Sequence, residues 1–223
     1  MKKYITVFFL TSCFLSGLAQ SIPQKFEEID TSKFSKKYYH LKSLFESLPN
    51  KKKEIVFLGN SITAQGSWAE LFNNKRIINR GISGDRTDGI LFRLKEVTES
   101  NPSKVFLLIG TNDIKYGRSE EYIVSRIQQI LKTIKADSPK TKIHLQSILP
   151  TYGRKERPIG IIKNINTKLK EIAVQEKILY IDLFPHFISE NTGQLDKTFS
   201  LDGLHLNGKG YLLWKKLITE FIK

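Results

Sequence analysis

Five short, almost uninterrupted apolar runs recur along the chain: EIVFLG, RIIN, KVFLLIG, KIHLQSI and ILYIDL. Near residues 87–99, 119–136, 158–176 and 207–222, apolar positions instead return at helical spacing. A short apolar run bounded by polar residues or glycine reads as a strand buried on both faces, and strands alternating with amphipathic helices argue for a parallel sheet covered on both sides. EIVFLG and KVFLLIG are the most uniform, which predicts them as central strands. Ile62, Trp68, Leu71 and Phe72 suggest a further helical stretch, interrupted by Gly66. Upstream, Phe34, Tyr38, Leu41, Leu44, Phe45 and Leu48 predict an amphipathic helix at about 31–48, packed outside the sheet and ending at Pro49. No repeat or composition break follows residue 22, so residues 20–223 read as one α/β domain.

In open α/β sheets ligands sit at the carboxyl ends of the strands, so the segments that follow each strand carry the candidate chemistry. Here they are Gly59-Asn60-Ser61, NRGISGDRTDG (79–89), GTNDI (110–114), LPTYGRKERP (149–158) and, after a longer loop, LDGLHLNGKGY. A serine between strand and helix can cap the helix, because its hydroxyl accepts a bond from an orphan N–H. Ser61 can equally be a nucleophile. Acyl transfer from an ester also needs a base, a group that orients the base, and donors for the oxyanion. Of the four histidines, His40 falls in the outer helix, His144 in a strand and His186 behind Pro185, whereas His205 stands three residues after Asp202. A compact loop at that spacing can let the carboxylate orient the imidazole, or Asp202 can simply cap a turn. Gly81, Gly84 and Asn112 can supply oxyanion donors, and each also suits a turn.

Taken together, FLGNSIT, NRGISGDRT, LLIGTNDI and DGLHLNGKGY resemble the SGNH (GDSL-like) hydrolases, in particular the branch of platelet-activating-factor acetylhydrolase catalytic subunits and bacterial carbohydrate O-acetylesterases. The resemblance implies a flavodoxin-like three-layer α/β/α sandwich with a central parallel sheet. It implies Ser61 as nucleophile, His205 as general base and Asp202 as its orienting carboxylate. The Ser61 N–H, the Gly84 N–H and the Asn112 side chain would form the oxyanion hole. The family's first block usually reads Gly-Asp-Ser, and here Asn60 replaces the acid. The G-x-S-x-G turn of ordinary α/β-hydrolases is absent, since position 63 is Thr.

The first residues, MKKYITVFFLTSCFLSGLAQS, follow the plan of a secretory signal peptide, with cleavage expected after Ala19 and an exported product, periplasmic or secreted. Leu10-Thr11-Ser12-Cys13 offers the alternative of a lipoprotein anchored at Cys13, the only cysteine. Cleavage after Ala19 removes it, which excludes disulfides, thiolate metal sites and a cysteine nucleophile; no transmembrane segment is then expected in the mature protein. The formal charge of +14 includes Lys2 and Lys3 of the leader, leaving +12 beyond it. The lysines are scattered without aromatic interleaving, so a solvated surface is expected rather than a nucleic-acid site. No H-E-x-x-H or phosphate-loop spacing occurs, so neither metal nor cofactor is expected. Trp68, Arg86, Tyr152 and Arg154 lie near the active edge as candidate substrate contacts, the aromatics for a sugar face and the arginines for a carboxylate. Trp68 can also fill core space. The expectation is a serine esterase removing short acyl groups, chiefly acetyl, from carbohydrates, an acidic sugar among them. The alternatives are a lysophospholipase or short-chain lipid esterase and, in another class, a non-catalytic protein that binds an anionic glycan.

Overall fold

A computed structural model of the chain describes residues 28–223. The predicted signal peptide and Cys13 lie outside the described residues. The first apolar run forms β1 (Ile55–Gly59), buried at every position. It is followed by two short helices, α2 (Ser61–Ala64) and α3 (Trp68–Leu71), then β2 (Ile77–Gly81). Next come α4 (Thr87–Arg93), α5 (Lys95–Thr98), β3 (Lys104–Leu108), α6 (Thr111–Lys115), α7 (Glu120–Asp137) and β4 (Lys142–Gln146). The chain closes with α8 (Ile159–Gln175), β5 (Leu179–Ile181) and α9 (Gly208–Ile222), while α1 (Lys36–Ser47) precedes the sheet. Among the described residues, all five strands are parallel in the order β2-β1-β3-β4-β5. This is the flavodoxin-like doubly wound order, whose direction of winding reverses between β1 and β3.

Alternation along the strands builds the two apolar layers. Val56, Leu58, Val105, Leu107, Ile143 and Leu145 face one side, where they meet Ile127 and Ile130 of α7 and Ile165 and Leu169 of α8. Ile55, Phe57, Phe106 and Leu108 face the other, against Trp214 and Ile218 of α9. Successive strand residues point to opposite faces, so an unbroken apolar run is what a strand covered on both sides requires.

Trp68 belongs to this second layer. Its ring stacks on Phe57 at 4.2 Å, meets Trp214 edge-on at 4.7 Å, and donates from Nε1 to the Thr63 carbonyl. With 1% of its surface exposed it is a core residue, which corrects the expectation that it meets substrate. A buried indole needs an acceptor for its N–H, and the backbone of α2 supplies one.

The N-terminal helix is shorter than its apolar pattern predicts. Asp30 caps a single 3-10 turn at Thr31–Lys33, and Ser35 then accepts from the Tyr38 N–H to start α1. Tyr38 is its one buried residue, and its hydroxyl donates to the Gly89 carbonyl at 2.7 Å. Leu44 and Leu48 remain exposed, so α1 rests on the domain along one edge. That edge brings Phe45 beneath the guanidinium groups of Arg80 and Arg93.

Candidate active site

Ser61 opens α2 directly beyond the carboxyl end of β1, but it does not cap the helix. Asn60 does, its side-chain oxygen accepting from the Ile62 N–H at 3.0 Å. The Ser61 hydroxyl is thereby left for another partner, and it finds His205 Nε2 at 3.0 Å. His205 Nδ1 lies 2.7 Å from Asp202 Oδ2. Both members of that pair sit in the loop before α9, where Asp202 Oδ1 accepts from the backbone N–H groups of Leu204 and His205. Gly203 permits the turn: its φ is +75°, and a side chain there would strike the Tyr152 carbonyl. Partial burial works to raise the Asp202 pKa. The hydrogen bonds from the His205 ring and the two backbone N–H groups outweigh it and hold the carboxyl well below the usual carboxylate range.

Two further loops at this edge come from β2 and β3. Gly84 has φ +82° and open space where a side chain would project, so its backbone lies bare to an approaching molecule. Asn112, in the first turn of α6, donates from Nδ2 to the Asp85 carbonyl at 2.9 Å and so fastens the β3 loop to the β2 loop. Its Oδ1 accepts from Arg157 Nη2 at 3.3 Å. Ser61 and Asn112 thus follow β1 and β3, the two strands that flank the switch point.

A buried ionic cluster locks these loops to the sheet. Arg93, fully buried, donates from Nη2 to the carbonyls of Gly59 and Arg80, at the ends of β1 and β2. Its Nε meets Asp85 Oδ2 at 3.0 Å and its Nη1 meets Glu96, which also pairs with Arg80. Burial raises the Asp85 carboxyl to about 6 even though Arg93 pulls it down. Asp113 accepts from both the N–H and the hydroxyl of Thr87, and burial still carries its pKa to about 7. Arg93 is not among the candidate residues of the sequence. The signal was present, since Ile90, Arg93, Leu94 and Val97 fall on one helical stripe, and a charge on an apolar stripe needs partners.

The loop after β4 spans both sides of the site. Arg154 Nη2 donates to the Asp202 carbonyl at 2.6 Å and lies 3.5 Å from its carboxylate. Arg157, buried, reaches Asn112. Arg154, expected as a substrate contact, is therefore turned onto Asp202. Tyr152 is exposed on the same loop, its N–H bonded to the Gly203 carbonyl and Lys197 over its ring. Arg86 stands apart from these, beside Gly84. Arg157 carried no distinguishing signal in the GRKERP run, because nothing local tells a buried arginine from its solvated neighbours. His144 is buried and stacked on Phe106, and burial lowers its pKa to about 4; His40 and His186 are exposed and remote from these contacts. Among the described residues, no group of three His, Cys, Asp or Glu is placed to hold a metal ion.

The profile of the GDSL-like Lipase/Acylhydrolase family matches residues 57–213, from within β1 into α9. A platelet-activating factor acetylhydrolase IB subunit alpha2 of Gallus gallus is 29% identical over 182 residues, covering 78% of this chain and 77% of that one. An N-acylneuraminate cytidylyltransferase of Escherichia coli O18:K1:H7 is 28% identical over 173 residues; the match covers 76% of this chain but only 40% of that longer protein. A GDSL-like lipase of Bacteroides thetaiotaomicron superposes with a TM-score of 0.74 at 26% identity, over 83% of this chain and 96% of the other. The chain belongs to the GDSL-like lipase/acylhydrolase family and is a carboxylic ester hydrolase.

Proposed function

We propose that the protein removes short acyl groups, acetyl foremost, from carbohydrate hydroxyls through a Ser61–His205–Asp202 triad. The observation that carries this reading is the continuous hydrogen-bonded chain from the Ser61 hydroxyl through both nitrogens of His205 to Asp202. The Ser61 oxygen attacks the ester carbonyl while His205 Nε2 takes its proton. The C–O bond to the sugar then breaks, and the same proton passes to the departing alkoxide. Water, deprotonated by His205, cleaves the acyl-enzyme to release the acid and restore Ser61. The Ser61 and Gly84 N–H groups and Asn112 Nδ2 take the developing oxyanion. Asp202, kept ionised by its donors, holds the imidazole and stabilises its protonated form. Acetyl is favoured because a relative of comparable length is named an acetylhydrolase. Export rests on the leader read at residues 1–19.

The test is hydrolysis of p-nitrophenyl acetate and octanoate beside a folded Ser61→Ala variant. Cleavage that favours acetate and falls at least a thousandfold in Ser61→Ala supports the reading, about the scale on which a lost triad member acts. A preference for octanoate turns it toward lipid esters. Activity that survives Ser61→Ala removes the triad assignment.

A further inference from the structure

Beside the Gly84 turn lies a cavity of about 410 Å³ that runs to the N-terminal segment, with Lys33, Phe34, Gly84, Asp85, Arg86 and Tyr116 on its wall. That volume lies at the lower end of small-molecule sites and suits a compact ligand such as a monosaccharide. Its ionisable groups are unequal. Lys33 is largely exposed and already paired with Asp30 at 3.0 Å. Asp85 is buried and taken by Arg93.

Arg86 differs from both. Its guanidinium carbon lies 5.2 Å from the centre of the Tyr116 ring. Among the described residues, no acceptor takes a hydrogen bond from its fork. The two carboxylates that sense its charge are engaged elsewhere, Asp85 with Arg93 and Asp113 with Thr87. The cation–π contact places the guanidinium over the exposed Tyr116 ring, which also carries Lys115 Nζ at 5.5 Å, and leaves the Arg86 N–H groups available to a ligand. A vacant guanidinium fork in a cavity is built to accept a carboxylate through two parallel bonds.

We infer that this cavity is the alcohol-side subsite, that the esterified sugar it takes carries a carboxylate, and that Arg86 selects for that group. The inference deepens the serine-esterase reading and rests on it, since Gly84 is both on the cavity wall and a donor in the proposed oxyanion hole. A sugar whose carboxylate meets Arg86 is anchored on the same loop that carries Gly84, through which the cavity adjoins the proposed oxyanion hole.

The test compares O-acetylated hexuronic and nonulosonic acids, each beside its own carboxamide, with kcat/KM measured for the wild type, Arg86→Gln and Arg86→Lys. The carboxamide keeps the shape and removes the charge. A charge-assisted contact of this kind is worth roughly tenfold or more, so at least one acid is expected to exceed its carboxamide by that ratio. Arg86→Gln should bring the ratio close to one through a rise in KM for the acid, and Arg86→Lys should restore part of it. Raising the salt concentration should lower the ratio in the wild type. If no acid outruns its carboxamide, or if Arg86→Gln leaves the ratio intact, the subsite assignment is wrong. Failure of the underlying reading looks different: no Ser61-dependent cleavage of any ester, p-nitrophenyl acetate included.

Discussion

A single side-chain amide at position 60 determines what the neighbouring hydroxyl can do. Because Asn60 caps α2, Ser61 is released from the backbone and turns to His205. Asn112 is held in a comparable way from both ends. Its oxygen accepts from Arg157 while one of its N–H bonds is spent on Asp85, so the second N–H is oriented before any substrate arrives. Asn112→Ala should therefore lower kcat on p-nitrophenyl acetate by about a hundredfold or more, with KM changed by only a few-fold. Near-normal turnover in a folded Asn112→Ala protein would overturn its proposed place in the oxyanion hole.

Among the elements, α4 does more than cover the sheet. Through Arg93 it grips the ends of β1 and β2 and the acid that follows Gly84, so the loops that carry Ser61 and Gly84 share one anchor. Removing Arg93 leaves Asp85 buried without its ion partner and Glu96 with Arg80 alone, and breaking a buried pair in this way costs about 3–5 kcal/mol. Arg93→Met, close in length and apolar, is expected to reduce unfolding free energy in urea by roughly 3 kcal/mol or more. A loss below about 1 kcal/mol would show that Asp85 and Glu96 find other compensation. The α1 segment makes the opposite case. It packs mainly through Tyr38 and Phe45, so its apolar pattern overstated how deeply it is buried.

For the molecule as a whole, the buried acids contribute a pH dependence of stability in an uncommon direction. The folded state raises Asp113 from an ordinary value of 3.8 to about 7, so between those limits it holds a proton that the unfolded chain has released. The Asp113 contribution to stability then falls as pH rises from about 4 to 7, with its whole penalty present above 7, while buried His144, lowered to about 4, acts in the opposite sense over part of that range. Asp113→Asn removes this contribution and keeps a carbonyl to accept from Thr87. The stability of the variant relative to wild type should rise steadily from pH 4 to pH 7 and level off above it, followed by thermal melts across the range. A difference that does not vary with pH would mean that Asp113 is ionised in the fold throughout.

The apolar runs and helical stripes determined the five strands, their parallel pairing and the main helices, because covering a sheet on both faces dictates that pattern locally. The four loop blocks likewise marked Ser61, Asp202, His205, Gly84 and Asn112 as candidates, since each follows a strand end. Tertiary structure decided the rest. It placed Trp68 against Phe57 and Trp214 in the core, turned Arg154 onto Asp202 and Arg157 onto Asn112, and gave Arg93 its four acceptors. These side chains are long or large, and most of their partners come from other elements of the fold. Local pattern can show that such a residue must be satisfied or buried, but only the folded arrangement supplies the acceptor or the packing surface that meets it.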